Sequence, residues 1–473
     1  MRYLALLIAA ITSVEVQAFQ YVPRLIVNIT IDQLRTDYME AFYGFYAERG
    51  FKRLMKDGRY YDHVSYPFKP VDRSSATATL ATGASPFYNG IVGNSWLNRE
   101  TLQPILSTDD EKYKDSPARL KTSTLSDELK VATAGKAFVY SFAAHKDAAI
   151  LLAGHAADGA FWIEGKQWTG SDYYRSTPEK WIKEYNKQTG KNKTRNVNSE
   201  INDYVVDISL QAIEKNAIGQ DDIPDLMYVT LSATTTDKKT VQYRFNDIQD
   251  TYKNLDTTLG KLIDGVEKRV GAERVLFVVT STGYYDEKNI DLNQFRIPTG
   301  TFYINRTASL LNMYLSAIYG SGRYVSQCFN NQIYLNLQLI EQKRISLSEL
   351  LKKCQSFLFQ NAGVADVYTS ERLLSGSEDV QKLRAGFNPT TSGDIIIEVS
   401  PGWKLFNEDT QQSYTNRIGD ITFPVFFLGN NIGLHHLLQE PFAYVHLTHA
   451  LLPRYFKISI TRASTFSRFI ARK

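Results

Sequence analysis

The chain has 473 residues, 43% of them hydrophobic and 22% charged, and a formal net charge of +4. That composition excludes a disordered chain and can fill a large core, in one big domain with insertions or in two domains. The charge is too small and too evenly spread to suggest nucleic acid as a partner.

Residues 1–18 read as a signal peptide, with Met1-Arg2 as the positive start, Tyr3 to Val14 as an uncharged and mostly apolar run, and Val16-Gln17-Ala18 as a small-x-small end. Cleavage is expected after Ala18, and no cysteine lies there to take a lipid anchor. The rest of the chain offers no apolar stretch near the roughly 20 residues of a membrane span, so no transmembrane segment is expected after cleavage. Cys328 and Cys354 are the only cysteines, and whether they pair is open from sequence.

Arg24 to Asp32 is a β-branched run ending in an acid, the pattern of a buried parallel strand with Asp32 at its carboxyl end. Tyr38 to Lys56 has helical spacing. Asp225 to Leu231 and Arg274 to Thr280 repeat the buried-strand pattern, with a helix over Asp247 to Val270 between them. This strand, helix, strand order predicts an α/β fold with a doubly wound, mostly parallel sheet flanked by helices. From Asn289 to Pro401 the texture changes. Helices are expected over Leu310 to Tyr319 and Ser346 to Gln360, and strands over Asn331 to Asn336 and Asp394 to Val399. The expected division is therefore a core in two parts, 19–288 and 402–473, around an inserted α+β subdomain at 289–401. The chain should re-enter the sheet at Phe423 to Gly429 and close with a helix near Val445 to Leu452.

Several short stretches carry a resemblance. They include Asp32-Gln33-Leu34-Arg35-Thr36-Asp37-Tyr38, Ala81-Thr82-Gly83, Gly90-Ile91-Val92-Gly93-Asn94, Ile150 to Ala156, Asp250-Thr251-Tyr252, Asn330 to Asn336 and Pro401-Gly402-Trp403. In these the chain resembles the alkaline phosphatase superfamily, and within it the secreted bacterial zinc phosphomonoesterases related to type I phosphodiesterase/nucleotide pyrophosphatases. The resemblance implies an alkaline-phosphatase-like fold and a site where imidazoles and carboxylates hold two zinc ions about 4 Å apart. It also implies export to the periplasm or cell surface of a Gram-negative bacterium.

Residue by residue, the resemblance implies little of that chemistry here. The first metal-binding aspartate corresponds to Asp32. The nucleophilic threonine falls nine residues before Thr82-Gly83, on Arg73, whose guanidinium stays protonated and is not nucleophilic. Counting back from Asp250 puts Thr235 and Lys239 at the next aspartate and histidine, with Lys238 beside them. Thr280-Ser281-Thr282-Gly283 stands for the usual Thr-Ala-Asp-His-Gly, and Ser413 for the last histidine. Asp32 is thus the one family ligand retained. Asn94 matches the substrate-binding asparagine, while His145 and Asp147 replace a phosphate-holding Lys-x-Arg pair, and Asp147 would repel a dianion.

The remaining candidates have plainer readings. Asp32 and Asn94 suit strand-end and turn hydrogen bonding, and His155 suits a packed or hydrogen-bonded core position. His435-His436 and the His446-x-x-His449 spacing are the other clustered imidazoles. Arg73 is expected to pair with Asp32 or Asp72, and Asp72, Arg73, Lys238 and Lys239 to form an ion-pair network where the zinc ions would lie.

The reading that follows is a catalytically inactive, phosphatase-like protein of the cell envelope, with no cofactor expected. Its work would be binding or scaffolding in an envelope or outer-membrane protein assembly. Tyr319 to Tyr324 and Phe357 to Tyr368 are the preferred contact loops. The alternative is an atypical phosphate- or sulfate-ester hydrolase using Asp32, Asn94, Ser74 and Ser75.

Overall fold

The structure is a computed structural model and describes residues 22–174, 180–189, 200–234, 241–285, 296, 298–376, 378–415 and 421–430. The expected signal peptide, Thr235, Lys238, Lys239, His435, His436, His446, His449 and the closing helix lie outside the described residues.

Leu25–Asp32 is buried along its whole length. It runs at the centre of an eight-stranded sheet, parallel to Asp225–Ser232 on one side and to Val275–Ser281 on the other. Beyond Asp225–Ser232 the sheet continues in parallel through Val139–Ala143 and Gly159–Glu164, and ends at Gln167–Gly170, which is antiparallel. Beyond Val275–Ser281 come two antiparallel strands, Phe423–Leu428 and then Arg59–Val64.

The reason such strands read as unbroken apolar runs is that both sheet faces are covered. Val27, Ile29 and Ile31 pack with Leu255, Leu259, Leu262 and Val266 of helix Val241–Val270 and with Ile208 and Ala212 of helix Ile201–Asn216. Their neighbour Ile26, with Leu226, Tyr228 and Val278, packs against Leu80, Leu129 and Ile150 from three helices on the opposite face. Alternation along the strand therefore feeds two separate layers.

One expected helix is broken. The stretch Tyr38 to Lys56 forms helix Thr36–Ala41, a short 3-10 turn Tyr43–Phe45 and helix Phe51–Asp57. The break is stabilised by Asp256, whose carboxylate accepts the Ala47 N–H at 2.8 Å and the Phe51 N–H at 2.7 Å. Gly50 makes room for it, since a side chain there would run into that carboxylate.

The inserted region has its own core. Val325–Phe329, Gln332–Leu335, Ile395–Val399 and Val364–Thr369 form an antiparallel sheet. Helices Ile304–Tyr319 and Leu347–Phe359 close over it around Ile333, Leu350, Leu358 and Ile397. A smaller sheet joins Gly300–Tyr303, Trp403–Asn407 and Gln412–Thr415. The expected boundary at 401/402 falls inside this layer, because Trp403–Asn407 pairs with Gly300–Tyr303 and buries Leu405 in the inserted core. Both cysteines are buried there as free thiols.

Candidate functional site

The site expected from the sequence lies at the carboxyl end of the central strand, where open α/β sheets build their clefts. Asp32 is the last residue of that strand. The chain leaves it through Gln33 in the left-handed region (φ 64), a turn that a non-glycine residue holds only when its surroundings enforce it. Here Thr282, just past the neighbouring strand, accepts the Gln33 N–H at 3.2 Å and donates its hydroxyl to Asp32 Oδ1 at 2.8 Å.

Arg73 opens helix Arg73–Thr82. Asp72 is the N-cap of a capping box: its Oδ1 accepts the Ser75 N–H at 2.8 Å, and its own N–H donates to the Ser75 hydroxyl oxygen at 3.0 Å. Its second oxygen accepts the Asn94 N–H at 2.6 Å. Asp72 is thus fully engaged by the helix start and the Gly93-Asn94 turn, and the expected Arg73–Asp72 pair does not form among the described contacts.

Arg73 turns to two other carboxylates. Its Nε donates to Asp147 Oδ2 at 3.0 Å, and Nη1 lies 3.6 Å from Asp32 Oδ2. Asp147 comes from the first turn of helix Lys146–Ala153, which packs beside helix Arg73–Thr82. Ser74 adds its hydroxyl to the same Asp147 oxygen at 2.8 Å, and lies 3.3 Å from Asn94 Oδ1. Of the expected pairings, Arg73 with Asp32 is present as the longer contact, and the closer partner is Asp147. The residue expected at the phosphate-clamp position is therefore the counter-ion of the residue expected at the nucleophile position. Sequence reasoning placed both at the site and missed that they pair.

The two carboxylates respond differently to the same guanidinium. Burial pushes the Asp32 carboxyl above its usual range, more than Arg73 and Thr282 pull it down. Burial acts on Asp147 too, but Arg73 and the Ser74 hydroxyl outweigh it and hold that carboxyl below its usual range. Burial works against the Arg73 charge as well, and is outweighed by Asp147 and Asp32, so the guanidinium stays protonated.

Of the other expected site residues, Asn94 stays at the site beside Ser74 and the rest scatter. Asn94 is exposed beside the cleft. Ser413 sits on Gln412–Thr415, paired with Phe406 in the small sheet of the inserted region. His155 is hydrogen-bonded to Asp127 at 2.9 Å, away from the cleft.

The model of the type I phosphodiesterase / nucleotide pyrophosphatase family matches residues 26–420. The chain belongs to this family. It is 26% identical over 478 residues to alkaline phosphatase PafA of Elizabethkingia meningoseptica, a match covering 86% of this chain and 87% of the relative. It is 24% identical over 451 residues to alkaline phosphatase PhoV of Synechococcus elongatus, covering 80% of each. The crystal structure of wild-type PafA superposes with a TM-score of 0.77 at 21% identity, covering 94% of this chain and 98% of that one. Murine ectonucleotide pyrophosphatase / phosphodiesterase 5 gives 0.54 at 13% identity, covering 92% and 96%. The expected fold is that of the family: a large, mostly parallel sheet flanked by helices.

Membership corrects one expectation. A chain needing no cofactor is not what this family implies, because the phosphatases it matches belong to a group of zinc metalloenzymes. The donors at the cleft are a separate matter. Asp32 and Asp147 are oxygen ligands in kind, but the Arg73 guanidinium stands between them and would repel a dication. Among the described residues no three His, Cys, Asp or Glu side chains converge in metal-ligating geometry. The described donors therefore do not fit a two-zinc site, and no chemical step is derived through a metal.

Proposed function

We propose that this family member has lost ester hydrolysis at the family's cleft and works by binding, as a scaffold subunit of a protein assembly in the envelope of a Gram-negative bacterium. The observation that carries the first half is the Arg73–Asp147 pair at 3.0 Å. A protonated guanidinium cannot attack phosphorus. Its carboxylate partner places negative charge where a dianionic ester would need a cation.

The second half, binding, rests on economy of function: a fold with an intact core and no workable cleft chemistry retains shape. Two features support export and a protein partner over nucleic acid or a membrane span. The first is the signal-like start of the sequence, and the second is the weak, dispersed net charge of +4. Among the described residues no helix is long and apolar enough to cross a membrane.

Hydrolysis through Ser74 is the competing reading, since its hydroxyl donates to a carboxylate at 2.8 Å as a nucleophile does to its base. Two facts weigh against it. Ser74 is completely buried, and Asp147 is held ionised below its usual range, which makes it a weak base.

The test is turnover of an aryl phosphate monoester and a diester by the purified protein with zinc supplied, beside Asp32→Ala and Ser74→Ala. The expected rate is indistinguishable from both variants. Zinc-dependent turnover lost in Asp32→Ala, or any turnover lost in Ser74→Ala, rejects the first half. Crosslinking in the native envelope fraction tests the second, which fails if the protein is recovered only as a free monomer.

A further inference from the structure

The sheet face that carries Asp32 changes character along its length. Its lowest rung is apolar, with Ile26 in register with Leu226 on one neighbouring strand and with Leu276 on the other. Two residues on, Asn28 stands beside Tyr228, and Tyr228 beside Ser141. The next rung is a row of three threonines, Thr280, Thr30 and Thr230, on three adjacent parallel strands. Asp32 ends the column beside the Arg73 guanidinium. On the opposite face the same strands stay apolar to the end, through Ile29 and Ile31, Val229 and Leu231, and Val279.

The polar side chains of this column are shut in. Thr30, Thr280 and Ser141 are completely buried, and Asn28, Asp32 and Thr230 nearly so. Yet the hydroxyls of the three threonines and of Ser141, and the oxygens Asn28 Oδ1 and Asp32 Oδ2, meet no hydrogen-bond partner within the protein. Thr77 adds another such hydroxyl from the covering helix, one turn beyond Arg73 on the same side. A single unpartnered oxygen can be tolerated, but a contiguous set gives up the hydration of every member on folding.

Spacing explains why these groups do not satisfy one another. In-register residues on neighbouring strands stand about 4.8 Å apart, too far for a direct hydrogen bond. One water making a bond of about 2.8 Å to each side spans that gap. Several of the side chains that cover this face are small: Ala76 and Ala81 from helix Arg73–Thr82, and Ala148 and Ala149 from helix Lys146–Ala153.

We propose that the floor of the cleft is a binding site for structural water. One molecule bridges the Thr280 and Thr30 hydroxyls, a second bridges Thr30 and Thr230, and the row extends to Asp32 Oδ2. Water is the ligand whose chemistry fits. It both donates and accepts, as the hydroxyls do, and it supplies the donor that Asn28 Oδ1 needs. A metal cation would leave the hydroxyl donors unused, and Arg73, 3.6 Å from Asp32 Oδ2, would repel it. The charges of Arg73, Asp32 and Asp147 so rest on a hydrated floor.

The test joins a crystal structure of the full chain, at a resolution that shows ordered water, to the melting of Thr30→Val, Thr230→Val and Thr280→Val. Valine keeps the shape of threonine and removes the hydroxyl. Density within hydrogen-bond distance of two hydroxyls of the row is expected. Thr30→Val, which removes the shared middle partner, should lower the melting midpoint by about 1–3 °C, and the two outer variants by less. A dry row predicts the reverse, since deleting an unpartnered hydroxyl relieves its desolvation and raises the midpoint. A higher midpoint for Thr30→Val, or a crystal structure in which the three hydroxyls bond only to protein groups, overturns the proposal. If the variants do not fold, the wild-type density alone decides.

Discussion

The cleft and the inserted region are both buried, and they hold opposite materials. Around Arg73 the chain buries Asp32, Asp147, Ser74 and Thr282, and the oxygen Asp32 Oδ2 has no hydrogen-bond donor, only the guanidinium 3.6 Å away. Around Ile333, Leu350 and Ile395 the inserted region buries hydrocarbon and two free thiols, whose pKa values burial pushes up to about 12. Burial of hydrocarbon is favourable side chain by side chain. Burial of charge is tolerable only as a set, because a charge that loses its partner cannot recover its hydration. The two regions should therefore break by different rules.

Arg73→Ala should give the largest loss, about 3–5 kcal/mol, since it leaves Asp147 and Asp32 buried without a cation. Chemical denaturation measures this, and the double variant with Asp147→Ala should lose less than the two single losses added together. Full additivity would mean that Arg73 and Asp147 do not act as a pair.

Leu350→Ala in the inserted core should cost about 2–5 kcal/mol through lost transfer energy and a residual cavity. The cost should not change between pH 5 and pH 8, because no ionisable partner is involved. A pH-dependent cost would show that the region's core is not simply apolar.

Asp32→Asn should have the smallest effect, within about 1 kcal/mol at neutral pH. Ionised Asp32 is disfavoured by burial, the Thr282 hydroxyl can still donate to an amide oxygen, and Arg73 retains Asp147. A loss as large as that of Arg73→Ala would make Asp32, not Asp147, the partner that matters.

The central strands were readable because each carries its own signal: an unbroken apolar run of strand length between turn residues has few other uses. Asp32 at a strand end was readable for the same local reason, whereas Arg73 was placed only by its spacing from Thr82-Gly83 under the family resemblance. The break between Ala41 and Phe51 was harder, since apolar residues at helical spacing continue through it. Gly44 and Gly50 were the available hints, and the cause, Asp256, lies more than 200 residues along the chain. The aromatics of the expected contact loops divide, Phe359 being exposed while others pack inward. Tyr324 is fully buried and Tyr368 nearly so, and Phe357 stacks on Tyr314 at 4.9 Å, because a small subdomain needs its aromatics inside.

By itself the sequence determined the α/β layering, the position of the cleft and the chemical types of the side chains in it, because these follow from local pattern and from residue identity. Only the tertiary structure decided which charges meet. Asp72 and Asp147 are both acids near Arg73 in space, yet Asp72 is taken by its own helix cap and Asp147, 74 residues away, takes the guanidinium. His155 finds Asp127 across 28 residues in the same way. Ion pairing depends on distance and on competing hydrogen bonds, and packing alone sets both.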